Sequence, residues 1–246
     1  MSRTTAVPAA HEVVAWYAPA AWLAANGDRR ARAMQLLLPP ERSRYERYRA
    51  DDDRLMFLLG RVMARTMVGR ALGVPASGWE WVEGEHGRPR IADPSCRIRF
   101  NVAHSGGMVV CAVACGREVG VDVEDLERRA PAPLVVRRYC SPAEAADIES
   151  HGDAGWATRF LSYWTLKEAY LKARGLGISV PLADVEFTLD DARPPRIRFV
   201  RSLQDADDRW AFHLTALSRR HLMAIAAPAP DGAPAFLVAP MPEDLL

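Results

Sequence analysis

Lysine is nearly missing from this chain: among 32 basic residues only Lys167 and Lys172 are lysine, and both fall in one short segment. Arginine is a planar, always-charged fork, whereas lysine is a compact ammonium. Its retention in one place marks a position that needs a point charge, unless lysine was simply lost by drift elsewhere. Cysteine is also scarce. Cys96, Cys111, Cys115 and Cys140 form no C-x-x-C pair and no zinc spacing, which excludes a dithiol redox motif and a zinc knuckle, and reduced, buried thiols are expected. No apolar run approaches membrane-spanning length, and Met1–Ala10 lacks the basic start and apolar stretch of a signal peptide, so a cytoplasmic protein that engages no membrane is expected. A formal net charge of +1 excludes a whole-molecule field that would draw in nucleic acid, and any bound anion must be met by a local cluster. The motifs G-x-x-x-x-G-K-S/T, G-x-S-x-G, H-E-x-x-H and G-x-G-x-x-G are absent, which removes the commonest nucleotide-binding and hydrolase explanations.

What is present repeats. The 246 residues, 49% hydrophobic, suffice for one large core or two small ones. Leu38-Pro39-Pro40-Glu41 opens a helical stretch, and Cys140-Ser141-Pro142-Ala143-Glu144 opens another, each with proline near its first turn. Phe57-Leu58 begins a long helical pattern that closes on Gly73, and Phe160-Leu161 begins one that closes on Gly175. Arg97-Ile98-Arg99-Phe100 is echoed by Arg196-Ile197-Arg198-Phe199, each followed by a β-rich run, Met108–Ala114 and His221–Ala227. The order predicts an α+β pseudodimer of two similar halves with antiparallel sheets and a cleft between them. The boundary is expected within Asp125–Pro133, giving halves of residues 1–125 and 126–246.

Three constellations carry chemistry. Met108–Cys115, the turn Gly116-Arg117-Glu118 and Val119–Glu124 read as a hairpin whose return strand places Asp122 and Glu124 on one face, about 6.5 to 7 Å apart at their α-carbons. Such a pair repels itself unless a cation bridges it, and hard oxygen donors favour Mg2+ or Mn2+; the alternative is a solvated strand face. Trp164, Glu168 and Lys172, spaced i, i+4, i+8, share one helix face, while Leu166, Ala169 and Tyr170 build the packing face. Glu168 suits a metal ligand or a proton acceptor and Lys172 a phosphate contact; the alternative is an ordinary helix ion pair. Finally, Arg99-Phe100-Asn101-Val102-Ala103-His104 runs into a Ser-Gly-Gly turn. There His104 is either a phosphate donor or a satisfied turn histidine, with Arg88 at the tip of Gly87-Arg88-Pro89-Arg90 and a basic stretch of Arg42, Arg44, Arg47 and Arg49 upstream.

In this order, Gly87-Arg88-Pro89, Phe100-Asn101-Val102-Ala103-His104-Ser105, Gly120-Val121-Asp122-Val123-Glu124 and Trp164-Thr165-Leu166-Lys167-Glu168-Ala169-Tyr170-Leu171-Lys172 resemble the 4′-phosphopantetheinyl transferases of the Sfp type. The last two are the specific signals, and the similarity spans about Leu38 to Ala226. The resemblance implies a monomeric, pseudodimeric enzyme with coenzyme A in its cleft. Asp122, Glu124 and Glu168 would hold Mg2+ against the pyrophosphate, Lys172 and His104 would contact phosphate oxygens, Arg44 would meet the 3′-phosphate, and Arg88 and Asn101 would lie by the ligand. Two departures stand out: Ala103 replaces a common serine, and Arg88 replaces the usual lysine.

The implied reaction transfers phosphopantetheine to a serine of an apo acyl or peptidyl carrier protein of fatty-acid, polyketide or nonribosomal peptide synthesis and releases 3′,5′-ADP. Glu168 serves as base or only as metal ligand, and Arg137 with Arg138 offer a landing site for an acidic carrier helix. The rivals are a Mg2+-dependent hydrolase of nucleotide pyrophosphates and a non-catalytic coenzyme A-binding scaffold.

Overall fold

The computed structural model describes residues 8–84, 88–128, 132–176, 180–190, 192–200 and 206–246. In chain order these form strand β1 (Glu12–Pro19), helices α1 (Ala21–Ala24), α2 (Gly27–Gln35), α3 (Pro39–Arg47) and α4 (Asp51–Leu72), and strands β2 (Trp81–Glu83), β3 (Pro89–Ile91), β4 (Ile98–Ser105), β5 (Met108–Cys115) and β6 (Gly120–Asp125). Helices α5 (Pro133–Tyr139), α6 (Pro142–Ser150) and α7 (Gly152–Arg174) follow, then strands β7 (Val185–Asp190), β8 (Arg193–Phe199), β9 (Trp210–Ala216), β10 (His221–Pro228) and β11 (Ala235–Pro240). Two compact units result, Met1–Glu118 together with Ala235–Leu246, and Val119–Pro234.

The units are variations on one plan. The first holds an antiparallel β1-β5-β4 sheet, extended by β11 running parallel to β1, and a β2-β3 ribbon. The second holds an antiparallel β6-β10-β9 sheet and a β7-β8 ribbon. Each sheet is covered by a long helix, α4 on β4 and β5, α7 on β6 and β10. Leu58, Leu59, Val62 and Met63 of α4 are fully buried with Val109 and Cys111 of β5. Leu166, Ala169 and Tyr170 of α7 are buried with Ala224 and Ala226 of β10, so the packing face expected of that helix is the one observed. Each buried leucine or valine contributes about 1.5 to 3 kcal/mol, which makes these two faces the main adhesive of each unit.

Helix ends follow the sequence signals. Gly73 (φ 69°) and Gly175 (φ 68°) take the left-handed conformation that closes α4 and α7. At the start of α6, Ser141 Oγ accepts from the Glu144 amide at 3.2 Å and the Glu144 carboxylate accepts from the Ser141 amide at 2.8 Å. At the start of α3 only half of this box exists: Glu41 accepts from the Leu38 amide at 2.9 Å, and leucine has no oxygen to return.

Each of these capping glutamates also meets a buried cation. Lys167 Nζ lies 2.6 Å from Glu144 and donates to the carbonyls of Tyr139 and Leu182 at 2.9 and 2.8 Å, while the other Glu144 oxygen accepts from the Phe187 amide. Arg65 lies 2.8 Å from Glu41 and donates to the Trp79 carbonyl at 3.2 Å. Lys167 and Arg65 each precede their capping glycine by eight residues, so the duplication extends to the buried ion pair.

Four expectations are corrected. The chain passes between units after Glu118 rather than after Asp125, because β6 pairs with β10. For the same reason β5 and β6 are not a hairpin: β5 pairs with β1 and β4. The Arg-Ile-Arg-Phe echo does not mark equivalent strands, since Ile98–Phe100 lies in the sheet strand β4 whereas Arg196–Phe199 lies in the ribbon strand β8; the partner of β4 in the plan is β9. Of the four free thiols only Cys111 and Cys140 are buried, and burial pushes the Cys140 thiol up to about 12. No described helix is long and apolar enough to cross a membrane.

One surface clamp gives a pH prediction. Asp147 of α6 accepts from Arg159 and from the Tyr163 hydroxyl of α7. Burial alone raises its pKa, but these two donors outweigh it and leave the group below its ordinary value. A depressed carboxylate stabilises the fold fully above the unfolded-state pKa, near pH 4, and loses that contribution as pH falls through the folded-state value. The melting-temperature gap between wild type and Asp147→Asn should therefore be widest at neutral pH and close below about pH 4.

Candidate functional site

Gly120 decides where the acids sit. A Cβ at this position would lie 2.0 Å from the Ala169 carbonyl oxygen and 2.4 Å from the Ala173 amide nitrogen, so β6 runs against the backbone of α7 with no room for a side chain. Strand alternation then turns Asp122 and Glu124 to the same helix-facing side. Both are buried, each 6% exposed, and the alternative of a solvated acidic face does not apply.

The partners come from α7 and from the turn after β6. Lys172 Nζ of α7 donates to Asp122 Oδ1 at 2.6 Å, and Arg128 of the turn donates to Glu124 Oε2 at 2.7 Å. Burial raises the Asp122 carboxyl to about 6 against the pull of Lys172, with Glu124 and Glu168 adding like charge. Glu168 is raised by burial, countered by Lys172 and reinforced by Glu124. The mutual influence joins the three acids into one electrostatic cluster. Trp164, on the same face, is half-buried, meets Tyr139 edge-on at 5.4 Å and stacks on Phe160 at 6.1 Å.

The donor set fits a hard divalent cation. Asp122 Oδ2 and Glu168 Oε1 are buried without a hydrogen-bond partner, although a buried carboxylate oxygen normally has one. Oxygen-only donors with uncompensated negative charge are what Mg2+ or Mn2+ takes. Among the described residues no group of three or more His, Cys, Asp or Glu side chains is gathered closely enough to hold a metal ion, and Lys172 and Arg128 each hold one oxygen of the set.

A second group of predicted residues gathers in the first unit. Arg44, Asn101 and His104 line a cavity of about 220 Å3 with Tyr48, Met56, Phe57, Gly60, Arg61, Pro89 and Val102. Ala103 is buried and does not line it. Arg88 does not line it either. Its guanidinium is buried 2.6 Å from Glu118 Oε2, with burial lowering its pKa, while Gly87 lies outside the described residues. Of the early arginines, Arg42 donates to the Met34 carbonyl and Arg44 alone reaches the cavity.

Sequence reasoning missed three contributors. Gly120 was legible only as part of a motif, since its close approach depends on a helix far along the chain. Arg128 lies four residues past Glu124, a spacing that could have flagged it. Arg61 falls inside a helix otherwise apolar at that turn, and its company of Phe57 and Trp81 is tertiary.

A family model described as the 4′-phosphopantetheinyl transferase superfamily matches residues 118–226, and one described as 4′-phosphopantetheinyl transferase, N-terminal, matches residues 21–116. The chain is 35% identical over 231 residues to a phosphopantetheinyl transferase of Thraustochytrium sp., covering 89% of this chain and 79% of that protein. It is 30% identical over 162 residues to a 4′-phosphopantetheinyl transferase of Bacillus subtilis, covering 65% and 70%. The first model brackets the acids on β6 and α7 and the second brackets the arginine cavity, so the two parts built here from separate elements coincide with the two parts of one family: the chain belongs to the 4′-phosphopantetheinyl transferases.

Proposed function

We propose that the chain transfers the 4′-phosphopantetheine moiety of coenzyme A to a serine of an apo acyl or peptidyl carrier protein and releases 3′,5′-ADP, with Mg2+ as cofactor. The observation that supports it best is the cluster of buried Asp122 and Glu124 and half-buried Glu168 beside Lys172, with two carboxylate oxygens lacking donors. These three acids would hold the ion, which when bound supplies charge neutralisation on the pyrophosphate.

The protein's own contribution is positioning and electrostatics. The carrier serine oxygen forms a bond to the phosphorus that bears pantetheine as the bond from that phosphorus to the departing 3′,5′-ADP oxygen breaks. Lys172 exchanges Asp122 for a phosphate oxygen and stabilises the charge that develops there. Glu168, raised by burial, is the group suited to receive the serine proton. Arg44, Asn101 and His104 bind the nucleotide end, and Arg88 supports the neighbouring loop through Glu118. On α5, Leu134, 76% exposed, lies beside exposed Arg137 and Arg138, an apolar contact flanked by cations that suits an acidic carrier helix. We further propose that the enzyme acts as a monomer in the cytoplasm.

The test is a mass spectrum of apo carrier protein incubated with enzyme, coenzyme A and Mg2+. Wild type should add one phosphopantetheine; Asp122→Ala and Lys172→Ala should each slow the addition by more than about 100-fold, the scale of losing one transition-state electrostatic contact. Consumption of coenzyme A without modification of any carrier would instead favour a hydrolase.

A further inference from the structure

We infer that Arg61 is a specificity residue: with Arg44 it binds the 3′-phosphomonoester of coenzyme A and makes the enzyme distinguish coenzyme A from dephospho-coenzyme A. This rests on the reading of coenzyme A as substrate.

Arg61 is held rather than spent. Its guanidinium lies 4.2 Å from the centre of the Trp81 ring and 4.9 Å from that of Phe57, and Arg44 lies 5.7 Å from the same Phe57 ring. A planar guanidinium stacked on aromatic faces keeps its edge donors available for a ligand. Its nearest carboxylate oxygen, Glu41 Oε1, is 3.9 Å away, too far for a hydrogen bond, while Glu41 Oε2 already serves Arg65 and the Leu38 amide. The charged groups that act on Arg61 are Arg44 and Arg65 against Glu41, three cations to one anion, leaving a formal excess of two positive charges. Burial together with the two neighbouring arginines, opposed by Glu41, lowers the Arg61 guanidinium to about 10, so the group is charged at neutral pH and shares its one acidic neighbour, Glu41, with Arg65.

The excess selects the ligand group. A phosphomonoester carries about −1.5 to −2 charges near pH 7 and offers three acceptor oxygens, which matches two guanidinium forks. Each phosphorus of a pyrophosphate diester carries only one charge, and the acid cluster beside Lys172 is the place for a metal-bound pyrophosphate. At about 220 Å3 the cavity falls below the roughly 300 to 1,000 Å3 that encloses a whole drug-sized ligand, so it fits one end of coenzyme A rather than all of it.

The experiment measures kcat and KM for carrier modification with coenzyme A and with dephospho-coenzyme A, in wild type, Arg61→Met, Arg61→Lys and Arg44→Met. Calorimetric binding of both nucleotides without metal accompanies the kinetics. Arg61→Met should raise KM and the dissociation constant for coenzyme A by roughly 10- to 100-fold, the loss of a charge-assisted contact, with kcat little changed. Both constants for dephospho-coenzyme A should move less than about threefold. Arg61→Lys, which keeps charge but loses the fork and the stack, should fall between, and it carries the test if the methionine variant folds poorly. Equal losses with both substrates would assign Arg61 to holding Trp81 and Phe57 in place, and no loss with either would remove it from the site; either result overturns the inference. If wild type binds coenzyme A but modifies no carrier, the transferase reading fails while the binding comparison still decides the role of Arg61.

Discussion

Gly120→Ala should cost about 3 kcal/mol of stability and lower phosphopantetheine transfer by more than about 100-fold. Overpacking usually costs less where a side chain can step aside, but the obstacles at Gly120 are the Ala169 oxygen and the Ala173 nitrogen, both backbone atoms of α7. The strand must move off the helix, and moving it carries Asp122 and Glu124 away from Glu168 and Lys172. Activity and stability should therefore fall together, while dissociation of coenzyme A in the absence of metal should change far less than the rate, because Arg44 and Arg61 belong to the other unit. Gly27→Ala is the control: nothing lies within 4 Å of its added methyl, and the variant should stay within about 0.5 kcal/mol of wild type. Urea unfolding and the carrier mass assay read both quantities. A Gly120→Ala enzyme of normal stability and rate would show that β6 tolerates a displacement that its backbone contacts forbid.

Lys167→Met is expected to be the most destabilising single change at the buried ion pair, by about 3 to 5 kcal/mol. Lys167 is 1% exposed and Glu144 is equally enclosed, so truncating the ammonium leaves a carboxylate with no water to receive it. Three backbone partners also lose their organiser: the carbonyls of Tyr139 and Leu182, and through Glu144 the Phe187 amide. The paired variant Lys167→Met with Glu144→Gln should recover part of the loss, since no buried charge then remains. Urea midpoints of the two single variants and the double variant measure the coupling; additive losses would contradict an ion pair in this position. The two lysines thus divide their work: Lys167 ties α7 to the end of α5, to α6 and to the segment ahead of β7, while Lys172, in the last turn of α7, pairs with Asp122 and faces the acids.

Periodicity and capping made much of this legible. The two long helices, their glycine stops and the shared face of Trp164, Glu168 and Lys172 depend on residues within a few turns of each other, and such local rules hold wherever the helix packs. The one-sided placement of Asp122 and Glu124 needed only strand alternation. What escaped was long-range. Val119–Glu124 follows an apolar strand after a three-residue turn and so imitates a hairpin, yet the strand that forms, Gly120–Asp125, pairs with His221–Ala226 instead. The Arg-Ile-Arg-Phe echo failed because alternation identifies a strand without naming its sheet. Arg65 and Lys167 hide among helix-face charges, and only burial separates them from solvated neighbours. Arg61 could not be told from a surface arginine until Trp81 and Phe57 closed on it.

The strand pairing also sets a timetable for a chain emerging from a ribosome. Asp122 and Glu124 are made early, but β6 has no sheet to join until β10, with which it pairs, has been synthesised. At about 5 to 20 residues per second the intervening hundred or so residues take roughly 5 to 20 s, during which an apolar strand with two adjacent acids waits unpaired. Strand β1 waits longer still for β11 on its outer edge, with β5 covering the other side in the meantime. The acids that repel each other in the finished fold keep this waiting strand charged, and a charged edge resists pairing with the wrong chain.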